Sequence, residues 1–134
     1  QEARKKSIRS ESQVDKRIEV LSDFISLDII ISNYLNNAIA YSPDNSNILI
    51  TAEEIDEKIK LSVKDEGEGI PENYKDRVFE RFFRVDKGRS LNQGGTGLGL
   101  SIVKNLASTL SSPVGVENLE PNGACFWIEL DKST

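Results

Sequence analysis

The chain has 134 residues, 37% of them hydrophobic and 29% charged, with a formal net charge of −5. That is enough for one compact domain with its own core, and the balance is that of a folded chain and not a disordered tail. The acidic sum argues against general nucleic-acid binding. The single cysteine, Cys125, excludes an internal disulfide, and the absence of histidine disfavours zinc.

In chain order, residues 1–16 are charged at most positions, with Ala3, Ile8 and Val14 as spaced apolar residues. They read as a frayed helix or linker, too charged for a signal peptide, and no apolar run approaches bilayer length. A short β-like run, Arg17 to Leu21 with Ile18, Val20 and Leu21, follows. Residues 1–20 are therefore expected to be a lead-in and 21–134 the folded domain. Asp23 reads as an N-cap for a helix over about 24–41, closed by Pro43. Leu27, Ile30, Ile31, Tyr34, Leu35 and Ala38 give it a wide apolar face. Asn33 and Asn37 share one stripe, with Tyr41 one turn further along it. Asparagine is a poor residue inside a helix. Either this pair faces solvent, or its amide oxygens serve a hard cation and its phosphates.

Two strands are expected over about 47–53 and 58–65. The second places Ile59, Leu61 and Val63 on one face, and by the same period Asp65 points inward with them. An inward carboxylate at a strand end is costly unless it finds a partner. The tight turn through Gly67, Gly69 and Ile70 suits either an ordinary turn aspartate or an acceptor for an exocyclic amine beside an apolar slot. Residues 72–81 read as a short helix, with Val78, Phe79, Phe82 and Phe83 mainly as packing. The segment 75–89 is basic, with Lys75, Arg77, Arg81, Arg84, Lys87 and Arg89 against Asp76, Glu80 and Asp86. In an acidic chain this is either a solvated charged face or the mark of a small polyanionic ligand. Gly94, Gly95, Gly97 and Gly99 then lead into a helix on which Leu98, Ile102, Ala107 and Leu110 are expected near one face. This is either a flexible loop capped by a surface helix or an anion site, since a glycine-rich loop feeding a helix N-terminus presents amides to an anion. It fits neither the P-loop nor the dinucleotide fingerprint. Strands over about 114–118 and 124–130 close the chain, with Ala124, Phe126, Ile128 and Leu130 facing one way and Cys125 and Trp127 the other.

Four motifs stand in one order: Asn33-Tyr34-Leu35-Asn36-Asn37-Ala38, Asp65-Glu66-Gly67-Glu68-Gly69-Ile70, Phe79-Glu80-Arg81-Phe82-Phe83-Arg84 and Gly94-Gly95-Thr96-Gly97-Leu98-Gly99-Leu100. Together they resemble the N, G1, F and G2 boxes of the catalytic and ATP-binding domain of sensor histidine kinases, a branch of the Bergerat-fold (GHKL) superfamily. The resemblance runs from about Asp23 to Leu130. It implies an α/β two-layer sandwich, a mixed β-sheet with helices packed on one face. It also implies ATP and Mg²⁺ as ligands, with Asn37 and Asn33 at the metal and phosphates. Asp65 would take the adenine amine, Ile70 and Tyr41 would flank the ring, and Gly67 and Gly69 would let the backbone close on it. Gly95, Gly97 and Gly99, with the amides of Thr96, Leu98 and Leu100, would cradle the phosphates. Arg84, Lys87, Arg89 and Gln93 would be lid residues able to reach the γ-phosphate.

Two departures stand out. Ala40 occupies a position where the family usually has Lys or Arg, and the customary His-Gly-Gly after the glycine helix is absent. The resemblance further implies transfer to a histidine on an upstream dimerisation domain and a response regulator downstream. It implies a cytoplasmic location, free-standing or as part of a membrane sensor. The fragment itself is expected to be monomeric and free of membrane contact, and the parent homodimeric. Two other readings stay open: an ATP-binding regulatory module without transfer, and a Bergerat-type serine kinase or ATPase.

Overall fold

The computed structural model describes residues 9–13, 20–21, 24–80 and 99–132. Helix α1 runs Phe24–Tyr41, with no glycine or proline inside it. Its inward stripe is Ile30, Tyr34 and Ala38, none of which has exposed surface. This is the i, i+4 repeat that aligns side chains along one face. At the C-terminal end the Ser42 hydroxyl donates to the Ala38 carbonyl at 2.6 Å. Pro43 then removes the next amide donor, which stops the helix.

The sheet contains β1 (Arg9–Gln13), β2 (Val20–Leu21), β3 (Asn47–Ile55), β4 (Lys58–Lys64), β5 (Val114–Asn118) and β6 (Ala124–Lys132). The order is β1-β3-β4-β6, and the far edge of β6 is shared by β5 and β2. Among the described residues β1 and β3 form the one parallel pair. Asp56, in the left-handed region at φ 57°, closes the β3–β4 hairpin. Register across Val63↔Phe126 and Val116↔Phe126 sets the apolar rows of three strands side by side.

Helix α2 (Gly99–Thr109) packs beside α1 on that apolar face. The core joins Ile30, Tyr34 and Ala38 of α1 and Val103 and Ala107 of α2 to Ile48, Val63, Val116, Phe126, Ile128 and Leu130 of the sheet. Phe126 lies at its centre, 5.5 Å from the Tyr34 ring and 6.3 Å, edge-on, from Phe79. The buried Tyr34 hydroxyl donates to the Trp127 carbonyl at 2.9 Å, and burial pushes its pKa up, with the Cys125 thiol adding to the rise. The opposite sheet face carries smaller and more polar residues. Thr51, Ser62 and Cys125 are buried there, and Lys60 lies over the Trp127 ring while pairing with Glu117 at 3.6 Å. This is the expected two-layer α/β sandwich with a mixed sheet and helices on one face.

Three local readings differ from the sequence. Residues 9–13, expected within a frayed helix or linker, are a strand paired along β3. Arg-Ser-Glu-Ser-Gln has no apolar alternation, and main-chain pairing at a sheet edge supplies what side chains do not. The segment 72–81, read as a helix, is one 3-10 turn at Glu72–Tyr74 followed by further turns through Glu80. Its bonds are mostly i to i+3, such as Arg77 N–H to Tyr74 O at 2.9 Å and Glu80 N–H to Arg77 O at 2.9 Å. On α2 the inward residues are Val103 and Ala107, with Leu100 and Leu110 packed beside them. Ile102 is 43% exposed. The 100, 103, 107, 110 spacing follows the helical period, whereas a face through residues 98, 102 and 107 drifts off it.

Candidate functional site

Asp65 continues the β4–β6 ladder by one rung, its N–H donating to the Ala124 carbonyl at 2.9 Å. The alternation of β4 turns its side chain inward, and it is 6% exposed. Oδ1 accepts the N–H of Gly67 at 2.9 Å and that of Ala124 at 3.1 Å. Burial raises the carboxyl pKa above its ordinary 3.8; the two backbone donors oppose that rise, and the Glu66 charge adds to it. Both donors fall on the same oxygen, so a buried acid is fixed in direction through Oδ1 alone.

The loop after Asp65 passes close against the end of α1. A Cβ added at Gly67 would lie 2.5 Å from the Tyr41 carbonyl oxygen. Gly69 has φ +85°, in the region L side chains avoid. At the other end of the same helix stripe, a Cβ added at Gly99 would lie 2.9 Å from Asn33 Oδ1. The start of α2 is thus seated on Asn33. Asn33, Asn37 and Tyr41 are half-buried and Asn36 is exposed. The Asn33 amide group donates to the Ile29 carbonyl at 2.9 Å, which leaves its oxygen toward Gly99. Eight steps of about 1.5 Å rise from Asn33 to Tyr41 make the stripe about 12 Å long.

Asn33, Asn37 and Tyr41 thus lie on one stripe of α1, with the loop carrying Asp65, Gly67, Gly69 and Ile70 against its Tyr41 end and the first residues of α2, Gly99 and Leu100, at its Asn33 end. Arg84, Lys87, Arg89, Gln93, Gly95, Thr96, Gly97 and Leu98 lie outside the described residues, as does Asp23. Among the described residues no group of three or more His, Cys, Asp or Glu could hold a metal. The donors present are neutral amide oxygens. That set suits a hard cation sharing its shell with phosphate oxygens and water. Ala40, where the resemblance led a basic residue to be expected, is 8% exposed.

Residues absent from the sequence reading complete the loop. Asn118 bonds Ile70 in both directions, accepting its N–H at 2.7 Å and donating to its carbonyl at 2.7 Å. Asn122 donates to the carbonyls of Glu66 at 2.8 Å and Gly67 at 3.2 Å. Glu66 in turn accepts the Asn47 N–H at 2.8 Å. A signal for Asn118 was present: in the alternation Val114, Val116, Asn118 it is a polar residue in an inward register at a strand end, the same mark that singles out Asp65. A cleft of about 750 Å³ opens at this end of the sheet, lined by residues 43–49, Lys64, Asp65, Glu66 and 119–122. It reaches Asp65 without including Asn33, Asn37 or Gly99.

Residues 22–134 match the family model described as histidine kinase-, DNA gyrase B- and HSP90-like ATPase. The chain belongs to this ATPase family. Within it, the relatives that the chain resembles include sensor histidine kinases. The sensor-like histidine kinase SenX3 of Mycolicibacterium smegmatis is 41% identical over 111 residues, covering 83% of this chain and 29% of SenX3. The chain thus spans less than a third of that relative's length. Among solved structures, the mycobacterial sensor histidine kinase MprB superposes with a TM-score of 0.85 at 32% identity, covering 98% of this chain and 88% of MprB. Full-length ShkA in complex with AMPPNP gives 0.82 at 32% identity, covering 99% of this chain and 27% of ShkA. Histidine kinase ThkA in complex with the response regulator protein TrrA gives 0.77 at 30% identity, covering 98% of this chain and 36% of ThkA.

Proposed function

We propose that the chain binds Mg-ATP and donates the γ-phosphoryl group to a histidine on a separate acceptor domain. The observation that carries this reading is the α1 stripe, whose Asn33 end meets the start of the glycine helix and whose Tyr41 end meets the Asp65 loop. A purine at the acid end would then have its phosphates at the amide-rich helix start. The AMPPNP complex of ShkA supports a nucleotide as the ligand.

In this reading the adenine amine donates to Asp65 through the oxygen that does not take the Gly67 and Ala124 bonds. Ile70 and Tyr41 flank the ring, and the backbone at Gly67 and Gly69 closes beside it. The phosphates lie on the amides of Thr96, Leu98 and Leu100 with Gly95, Gly97 and Gly99, where unpaired N–H groups and the helix dipole favour negative charge. Asn37 and Asn33 would hold Mg²⁺, which when bound supplies charge neutralisation at the phosphate oxygens. By the same resemblance Arg84, Lys87, Arg89 and Gln93, outside the described residues, would be the groups able to reach the γ-phosphoryl group. Phosphoryl transfer asks mainly for such positioning and charge stabilisation.

The chain contains no histidine, so it cannot phosphorylate itself on one. The acceptor belongs to a dimerisation domain elsewhere in the parent, with residues 21–134 as the nucleotide unit and a response regulator as the next partner. The ThkA–TrrA complex supports that pairing. A cytoplasmic location is part of the same reading. Ala40 favours a second reading, a nucleotide-binding module that lacks one phosphate cation and does not transfer. Incubating the chain with Mg-ATP and a histidine-bearing acceptor domain separates the two. Acid-labile phosphate on the acceptor supports transfer, and binding without transfer supports the module. Acid-stable phosphate or free phosphate would point to a serine kinase or an ATPase instead.

A further inference from the structure

The loop that carries Asp65, Gly67, Gly69 and Ile70 belongs to no strand beyond its first rung, yet its backbone is held as tightly as one. Asn118 meets both polar groups of Ile70, at 2.7 Å each, so a single side-chain amide takes the place of a ladder partner. The approach is close enough that a Cβ on Gly69 would lie 2.7 Å from Asn118 Oδ1. Asn118 is the last residue of β5 and is paired with Ala124 of β6. Ala124 is the residue whose N–H holds Asp65 Oδ1. One rung of the sheet, Asn118↔Ala124, therefore sets the position of both the buried acid and the apolar residue five places after it.

We infer that Asn118 is a positioning residue for base selection, fixing the spacing between the Asp65 carboxylate and the Ile70 wall of the purine slot. This rests on reading the loop as the purine site. Asp65 distinguishes an exocyclic amine from a carbonyl only if the ring is held in one plane and at one depth. Ile70 supplies that plane, and its backbone is held to the sheet through Asn118. Asn118 is itself exposed and outside the apolar core, so its loss frees the loop while leaving the core packed.

The test uses the 134-residue chain and its Asn118→Ala and Asn118→Asp variants, with ATP and GTP as probes. Affinities come from titration calorimetry, folding from circular dichroism, and the opening of the Ile70 amide from hydrogen exchange by NMR. The expected results for Asn118→Ala are a faster-exchanging Ile70 amide, ATP binding weakened about tenfold, the scale of one or two net hydrogen bonds, and GTP binding little changed. The preference for ATP over GTP therefore shrinks, which general destabilisation of a still-folded chain would not produce. Asn118→Asp keeps the acceptor for the Ile70 N–H and loses the donor, so it falls between wild type and alanine. It carries the comparison should the alanine variant fail to fold. A folded variant with the wild-type ATP to GTP ratio overturns the inference while leaving the nucleotide reading intact. A wild-type chain that binds neither nucleotide removes both.

Discussion

Replacing Asp65 by asparagine separates recognition from folding. Oδ1 of an asparagine can keep both backbone donors, Gly67 N–H at 2.9 Å and Ala124 N–H at 3.1 Å, so the loop retains its anchor. The second oxygen becomes an amide nitrogen, which offers the adenine amine a donor where an acceptor stood. A hydrogen bond to a charged group contributes ~1.5–3 kcal/mol, so ATP affinity should fall roughly ten- to 150-fold. Stability should move the other way. Burial raises the folded carboxyl pKa above its ordinary 3.8, so the folded chain holds this proton more tightly than the unfolded chain. Its contribution to stability is full below 3.8 and is lost as pH rises through the raised folded value. Asparagine carries no such loss. Its melting temperature should pull ahead of wild type across that window and stay ahead at neutral pH. Calorimetric titration with ATP and thermal melts from acid to neutral pH test both halves. Parent-like ATP binding by the variant would sink the adenine assignment. A variant clearly less stable than wild type at pH 7 would refute the claim that this acid is held in the fold at a net cost.

Other perturbations reach the rest of the account. Asn37→Ala should abolish the Mg²⁺ dependence of nucleotide binding, measured as affinity with and without chelator; an unchanged dependence would remove the helix stripe as the metal site. Gly69→Ala forces a side chain into φ +85° and against Asn118 Oδ1, so urea unfolding should show a loss of about 1–2 kcal/mol, and ATP affinity should drop as well. Tyr34→Phe deletes the buried bond to the Trp127 carbonyl and should lower stability by about 1 kcal/mol with ATP binding unchanged, because Tyr34 ties α1 to β6 and lies outside the site.

Where a residue's environment repeats with the period of its element, the sequence displayed it. Alternation alone placed Asp65 inward and separated Phe126 from Trp127, and Pro43 marked the end of α1. Two kinds of information were missing. Residues 9–13 form a strand because the β3 edge offers main-chain partners, and no side-chain pattern records that. The turns after Glu72 are tied to the core by Val78 and Phe79, adjacent residues whose joint burial depends on the sheet beneath them. Asn118 was readable in principle, as a polar residue in an apolar alternation. Its partner, 48 positions away, appears only when β5 and β4 are set on either side of β6. The Asn33–Gly99 contact is of the same sort, since each motif is visible alone and their meeting depends on helix packing.

The most direct test is a crystal of this chain grown with Mg-AMPPNP. The base should lie between Asp65 and Ile70, with the phosphates at the start of α2 beside Asn33 and Asn37. A nucleotide bound elsewhere, for instance in the cleft between residues 43–49 and 119–122 with Gly99 untouched, would contradict the account.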